Sequence, residues 1–482
     1  MVVGWFTLGF SIALLIALLD VCTYSNRPPL SGKSEPITDI SPYGFGPRKQ
    51  LLVFDVDIDQ IDLSDKIYAR MGWSDTSHPL EYGDAGIEIK GSGERLQLNY
   101  AFEIWECENG ECEDDKAELF EFGEDYEDWV LRGGLNDPTF VRDALASQLK
   151  GGVLQHTLVE VLFQRNDSYT YEGVYILYPA IQRRVLEKRL AWDEKGKAKC
   201  DNVDHAAMIG EYTHSFKGRR DPCEEFDLQV KMRYPKCDMD ACLVNRTKHF
   251  FGALTMTNTT TVPIDLQSFV DTFYVESLLH DSDFPRGSQY FYVSPDGILH
   301  AGPRWDYDSM QWRTRDADSW DFYIPNQWQA APLWVHLGND ATFLQQLEAQ
   351  RVATVTENHH IAMSLLDARA QQFTNGDFAR HLARWDPFGK QYLPMYQDAY
   401  AATNGGTKPD AARELQFIRA QFVERATWMN TTNITEFGFK PDTIIAVVVV
   451  RFLYIPILLA CLVFVCIYYR NEHDYQTLPT RL

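Results

Sequence analysis

Two aspartates near the middle of the chain have the side-chain type and surroundings for chemistry on a phosphoryl group. Asp283 lies in HDSDFPRGSQYFYVSPDG, and Asp306 follows 23 residues later in GPRWDYD, which ends at Asp308. The residues between them read as a two-stranded hairpin. One carboxylate can orient an attacking hydroxyl and take its proton, and a second, past a hairpin, can hold a metal ion on nucleotide phosphates. Each aspartate taken alone also suits a plain role. Asp281 and Asp283 fit a turn after a helix ending near His280, Trp305 fits a core, and Asp308 fits a solvated surface.

The elements around these residues change character along the chain. From Lys49 onward the sequence is strand-rich. LLVFDVDIDQI alternates apolar and acidic residues and predicts a half-buried strand with Asp55, Asp57 and Asp59 on its solvated face. AGIEIKGSG and RLQLNYAFEIWE predict two more strands, and HTLVEVLFQRNDSYTYEGVYILY a hairpin turning near Asn166-Asp167. Asn136-Asp137-Pro138 predicts a helix start, running through Leu149. Beyond Asp265, SFVDTFYVESLL, residues 340–373 and residues 409–429 read as helices. Strands followed by helices predict an α+β fold with a strand-rich and a helix-rich lobe and a cleft between them.

Composition narrows the setting. The chain has 482 residues, 45% hydrophobic and 13% aromatic, enough for a sizeable core. Its formal net charge of −23 argues against a nucleic-acid partner, which needs a basic footprint. Apolar runs bracket the globular part. Residues 1–25 read as a signal peptide or signal anchor, 26–45 as a linker, and 443–469 as a transmembrane helix with a cytosolic tail at 470–482. Between the runs lie Cys107, Cys112, Cys200, Cys223, Cys237 and Cys242, an even set that suggests disulfides in a secretory compartment. CENGEC is the clearest local pair, because Asn109-Gly110 is a hairpin turn signal. Sequons at Asn166, Asn245, Asn258, Asn430 and Asn433 agree with a glycosylated, lumenal or extracellular domain over 46–435.

An ordered series of segments carries a family resemblance: FDVDIDQIDLSDKIY, AGIEIKGSG, WVLRGGLNDPTFVRDALASQL, YEGVYILYPAI, GEYTHSFKGRRD, DSDFPRGSQYFY and GPRWDYD. From about Leu51 to Met429 the chain resembles the CotH kinase family, atypical protein kinases named for a spore-coat protein. The resemblance implies a bilobal kinase-like fold, ATP with Mg or Mn as cofactor, and transfer of the γ-phosphoryl group to Ser or Thr of a protein substrate in the secretory pathway or at the surface. By the same resemblance Asp283 looks like the catalytic aspartate and Asp306 like the metal-binding one, with Asp308 sharing the metal if the segment is extended.

The chain also departs from the family pattern. Ser288 stands where a further metal-ligating Asn is expected, with Gln289 beside it. Gln97 and Leu98 stand where a strand lysine should meet the phosphates, and Tyr178-Pro179 replaces the expected Glu. Lys90, beside the weak glycine signal Gly91-x-Gly93, and Lys217 in GEYTHSFKGRRD are the candidates for the missing nucleotide-binding charge. Each is equally well a surface lysine. These departures leave two readings: an active membrane-anchored kinase, or a catalytically weak pseudokinase serving as a glycosylated binding or scaffold protein.

Overall fold

The computed structural model describes residues 50–431 apart from 64, 76–79, 91–96, 121, 135–136, 153, 166–167, 183–184, 187–207, 213–229, 235–262, 281–283, 285–287, 310–331 and 387–409. The described chain is a mixed α+β fold. Its first half supplies strands β1 (Leu51–Asp57), β2 (Ile67–Ser74), β3 (Glu81–Lys90), β4 (Asn99–Glu108), β5 (Glu111–Asp114) and β6 (Asp128–Gly133). A short helix α1 (Arg142–Gln148) precedes the hairpin β7 (Thr157–Arg165) and β8 (Ser168–Pro179).

These strands form one sheet in the order β3-β2-β1-β7-β8-β6-β4-β5, and an extra β3–β4 pairing closes it into a seven-stranded barrel with β5 appended. Closure removes the unpaired edges that an open sheet would expose. All neighbours are antiparallel except β1 and β7. Aromatic rings fill the interior. Phe54 stacks on Phe163 at 5.1 Å and meets Phe102 edge-on at 5.4 Å, and Tyr100 lies 4.8 Å from Phe163. Such pairs add about 0.5–1.5 kcal/mol each beyond the area they bury. Asp55 is the departure from the expected solvated face. β1 runs between two neighbours, and the Asp55 carboxyl is partly buried.

A second, four-stranded sheet comprises β9 (Met208–Tyr212), β10 (Val230–Tyr234), β11 (Gln289–Val293) and β12 (Leu299–Arg304), in the order β10-β9-β11-β12. The helices are α2 (Leu266–Leu279), α3 (Pro332–Gly338), α4 (Ala341–Thr374), α5 (Ala379–Trp385) and α6 (Ala411–Thr431). The described residues form two hydrophobic clusters, one in the barrel and one among the helices, and the four-stranded sheet contributes to both. Alternation along β11 does this: Tyr290 and Tyr292 join the barrel cluster, while Phe291 and Val293 join the helical one. Strand β11 is therefore fixed by two cores, and it holds its hairpin partner β12, which leads to Asp306.

The predicted hairpins and long helices are present. Asn109 and Gly110 both adopt positive φ, 54° and 90°, in the β4–β5 turn, and Cys107 and Cys112 form a disulfide across it. Helix α1 starts at Arg142, later than Asp137-Pro138 suggests. The Asp137 carboxylate accepts from the N–H groups of Val141 and Arg142 at 2.8 and 2.7 Å, so it caps the helix entrance from further away. Among the described residues no helix is long and apolar enough to cross a membrane. Both runs read as membrane segments, 1–25 and 443–469, lie outside those residues.

Candidate active site

The site is built on α1, β6 and the end of β12. Helix α1 is held at both ends. At its N-terminal end Arg142, fully buried, pairs with Asp137 at 2.8 Å and with Glu414 of α6 at 2.6 Å. At its C-terminal end Arg304 of β12 donates to the carbonyls of Ala146 and Leu149, both at 3.1 Å, and also to that of Lys150. A cation on the last carbonyls of a helix satisfies orphan acceptors and suits its dipole. This anchors the residue just before Trp305-Asp306 to the body of the protein.

Asp306 then turns through a left-handed backbone, φ 73°. Asp tolerates that region better than most residues, but it is uncommon outside glycine. The turn leaves the Asp306 side chain 33% exposed, whereas Asp308 and Asp143 are each 5% exposed. All three carboxylates surround one guanidinium, that of Arg132 in β6. Arg132 lies 3.4 Å from Asp143 and 2.7 Å from Asp308, and it donates to Asp306. Asp143 also accepts from the Tyr307 N–H at 2.9 Å. Burial opposes the Arg132 charge, but Asp143, Asp306 and Asp308 outweigh it and hold its pKa well above the ordinary value. Burial pushes the Asp143 carboxyl up to about 6, against the pull of Arg132.

One guanidinium against three ionised carboxylates leaves two negative charges in excess. The donor set is hard oxygen, with Asp306 as the accessible member and Ser288 Oγ 3.4 Å from Asp306 Oδ2. That chemistry fits a divalent cation such as Mg or Mn. Asp308 is buried against Arg132, a position that orients the guanidinium. Gln289 is engaged elsewhere: its amide donates to Glu276 at 2.8 Å, and the Tyr307 hydroxyl bonds the same carboxylate.

The other predicted residues divide as follows. Asp283, Gly91, Gly93 and Lys217 lie outside the described residues, as do Cys200, Cys223, Cys237, Cys242, Asn166, Asn245, Asn258 and Asn433. Phe284, next to Asp283 in the sequence, is buried edge-on against Trp334 at 5.0 Å. Lys90 ends β3 with its ammonium 5.7 Å from the Trp305 ring centroid, on the doorstep of Asp306. Asn430 falls in the last turn of α6, where its carbonyl accepts from Arg351.

Gln97, where the resemblance leads us to expect a strand lysine, is 1% exposed and acts as a bridge. Its amide donates to the Val174 carbonyl and accepts from the Gly134 N–H, both at 3.0 Å. It passes beside Gly173, whose φ of 131° and close neighbours Trp385, Gln97 and His381 leave no room for a Cβ. Tyr178, at the expected Glu position, is buried and hydrogen-bonds Asp143, with its ring 5.4 Å from that of Trp305.

The family model described as CotH kinase protein matches residues 87–372, more than half of the 482. The chain belongs to the CotH kinase family. A comparison with curated proteins finds no match. CotH membership points to a kinase-like function, and a kinase family points to ATP with a divalent metal.

Arg132 and Asp143 are the residues that motif reading passes over. The signal was present: Trp129-Val130-Leu131-Arg132 puts a guanidinium in an apolar strand run, and a buried charge demands carboxylate partners.

Proposed function

We propose that this CotH protein is a membrane-anchored protein kinase of the secretory pathway, transferring the γ-phosphoryl group of ATP to Ser or Thr of secreted or membrane proteins. The observation that carries the reading is Asp306: a carboxylate in a left-handed turn, one-third exposed beside a buried Arg132 clamp with two negative charges in excess. In this reading the two hydrophobic clusters are the cores of two lobes. The kinase-like domain, 46–435, is lumenal or extracellular between membrane segments at 1–25 and 443–469, and the tail at 470–482 is cytosolic. Magnesium or manganese, when bound at Asp306 with Ser288 nearby, would neutralise phosphate charge. Asp283 orients the acceptor hydroxyl. Its oxygen bonds the γ-phosphorus as the bond to the β,γ-bridging oxygen breaks, ADP departs, and the hydroxyl proton passes to the Asp283 carboxylate.

The test is transfer from labelled ATP with magnesium or manganese to a generic acceptor or to the protein itself. Wild type labels and Asp306→Ala does not; equal labelling by the two, or none by wild type, sinks the reading. One observation favours the alternative of a pseudokinase acting as a binding or scaffold protein. Gln97 is locked into two backbone hydrogen bonds where the family uses a lysine. A thermal shift with MgATP but no transfer would select that alternative.

A further inference from the structure

With Gln97 occupied, the charge that meets the phosphates must come from another element, and three cations are at hand: Arg132 and Lys90 lie against Trp305, and Arg233 is within electrostatic reach of Lys90. Arg132 is committed to its three carboxylates. The second is Arg233 of β10, which pairs with Glu211 of β9 through its Nε at 2.6 Å and through a second nitrogen. Its guanidinium lies 6.0 Å from the Tyr290 ring centroid, and the Tyr290 hydroxyl bonds both members of the pair. Glu211 is 11% exposed but Arg233 is 32% exposed, so the pair is anchored on its acidic side and open on its basic side. Asp306 acts electrostatically on the same Tyr290 hydroxyl, which places the pair and the candidate metal-binding carboxylate in one neighbourhood.

Lys90 is the third. It is half-buried over Trp305, and no carboxylate among the described residues is in ion-pair contact with it. Burial and the like charge of Arg233 lower its ammonium to about 8, against the opposing pull of Glu211, Glu88 and Asp128. A desolvated cation beside a second cation is a costly arrangement that an anion relieves. A simple anion would be repelled by Asp306. A polyphosphate carrying a divalent metal has both signs, metal toward Asp306 and phosphate oxygens toward the cations.

We propose that Lys90 and the Glu211-anchored Arg233 form the phosphate clamp of this chain, taking the task of the strand lysine whose position Gln97 holds. The clamp rests on the phosphotransferase reading above. Arg233 and Glu211 here do what a lysine–glutamate pair does in other kinases, with a guanidinium able to grip two oxygens at once. Two strands from different sheets, β3 and β10, thus close on one ligand.

Binding of MgATP and of adenosine to the full chain tests this. Lys90→Met weakens MgATP binding by about 10- to 100-fold, the effect of losing one charge-assisted contact, and leaves adenosine binding unchanged. Lys90→Arg restores most of the affinity, and Arg233→Met weakens MgATP in the same selective way. Wild-type protein alone gives a second measurement: its MgATP affinity falls as pH rises above about 8 and Lys90 loses its proton, with adenosine unaffected. Wild type that binds no MgATP overturns the phosphotransferase reading together with the clamp. Wild type that binds MgATP, with Lys90→Met binding it equally or losing adenosine alike, overturns the clamp alone.

Discussion

Strand β6 carries a charge cluster at each end. Near its start, Asp128 shares Lys66 with Glu103, at 3.1 and 2.6 Å, and Glu127 lies close enough that the three acids could gather around an ion. Near its end, Arg132 gathers Asp143, Asp306 and Asp308. By acid-to-acid distance the first cluster is the better metal site. Exposure and backbone reverse that ranking. In the first cluster, cation and acids are similarly placed, 14–23% exposed, and the Gln182 amide also serves Asp128. In the second, the cation is 4% exposed and one acid opens to solvent on a left-handed turn. Both clusters set three acids against one cation, so charge alone does not separate them. They differ in access: the second buries its cation and turns one acid outward, where a ligand can reach it.

The largest expected effect separates the two ends by activity. Asp306→Ala abolishes phosphoryl transfer, while Glu103→Gln at the other cluster leaves it within about twofold. The assay with labelled ATP measures both. Loss of transfer in both variants, or in neither, would dissolve the distinction.

Stability gives the next contrast. Arg132→Met strands Asp143 and Asp308 in a buried setting without their cation, and breaking a buried pair in this way costs about 3–5 kcal/mol. Lys66→Met removes a partly exposed cation whose partners can turn to water, and costs roughly 1 kcal/mol or less. Denaturant unfolding of the two variants beside wild type ranks them. A Lys66 variant as damaged as the Arg132 variant would show that both clusters are structural keystones.

This comparison also explains what the sequence revealed. Local signals were reliable: Asn109-Gly110 specified a turn, the hairpin between Asp283 and Asp306 is β11–β12, and the stretches read as helices beyond Asp265 are α2, α4 and α6. The Asp306 motif was legible because its residues are contiguous. Arg132 lies 174 positions away and is brought to Asp306 by the barrel, the parallel β1–β7 pairing included. No local pattern encodes that pairing. Gln97 shows the same limit, since its place in the motif can be read from sequence but the two backbone groups that need its amide cannot. The start of α1 was misplaced because Asp137 caps it across an intervening turn.

A third carboxylate sharpens the contrast by lacking what the two clusters have. Asp55 of β1 faces Arg70 across the β1–β2 pair, but neither of its oxygens finds a hydrogen bond among the described residues. Burial raises its carboxyl to about 6, and the Arg70 charge pulls it down without prevailing. Its folded pKa is therefore above the ordinary value near 4. The native state binds this proton more tightly than the unfolded chain does. Its contribution to stability is complete below about pH 4 and is lost as pH rises through about 6. Asp55→Asn removes the ionisation and keeps the shape. It should stabilise the protein by about 1 kcal/mol at pH 7, after allowance for solvent screening of a half-exposed group, and the gain should vanish at pH 4. Asp143→Asn removes a more deeply buried acid, but one that holds a guanidinium and whose loss leaves Arg132 short of a partner, so it should destabilise at pH 7. Melting temperatures of both variants at the two pH values measure the difference. Opposite signs at pH 7 separate an acid that the fold merely tolerates from one that holds Arg132 in place, and equal signs would remove Asp143 from the clamp.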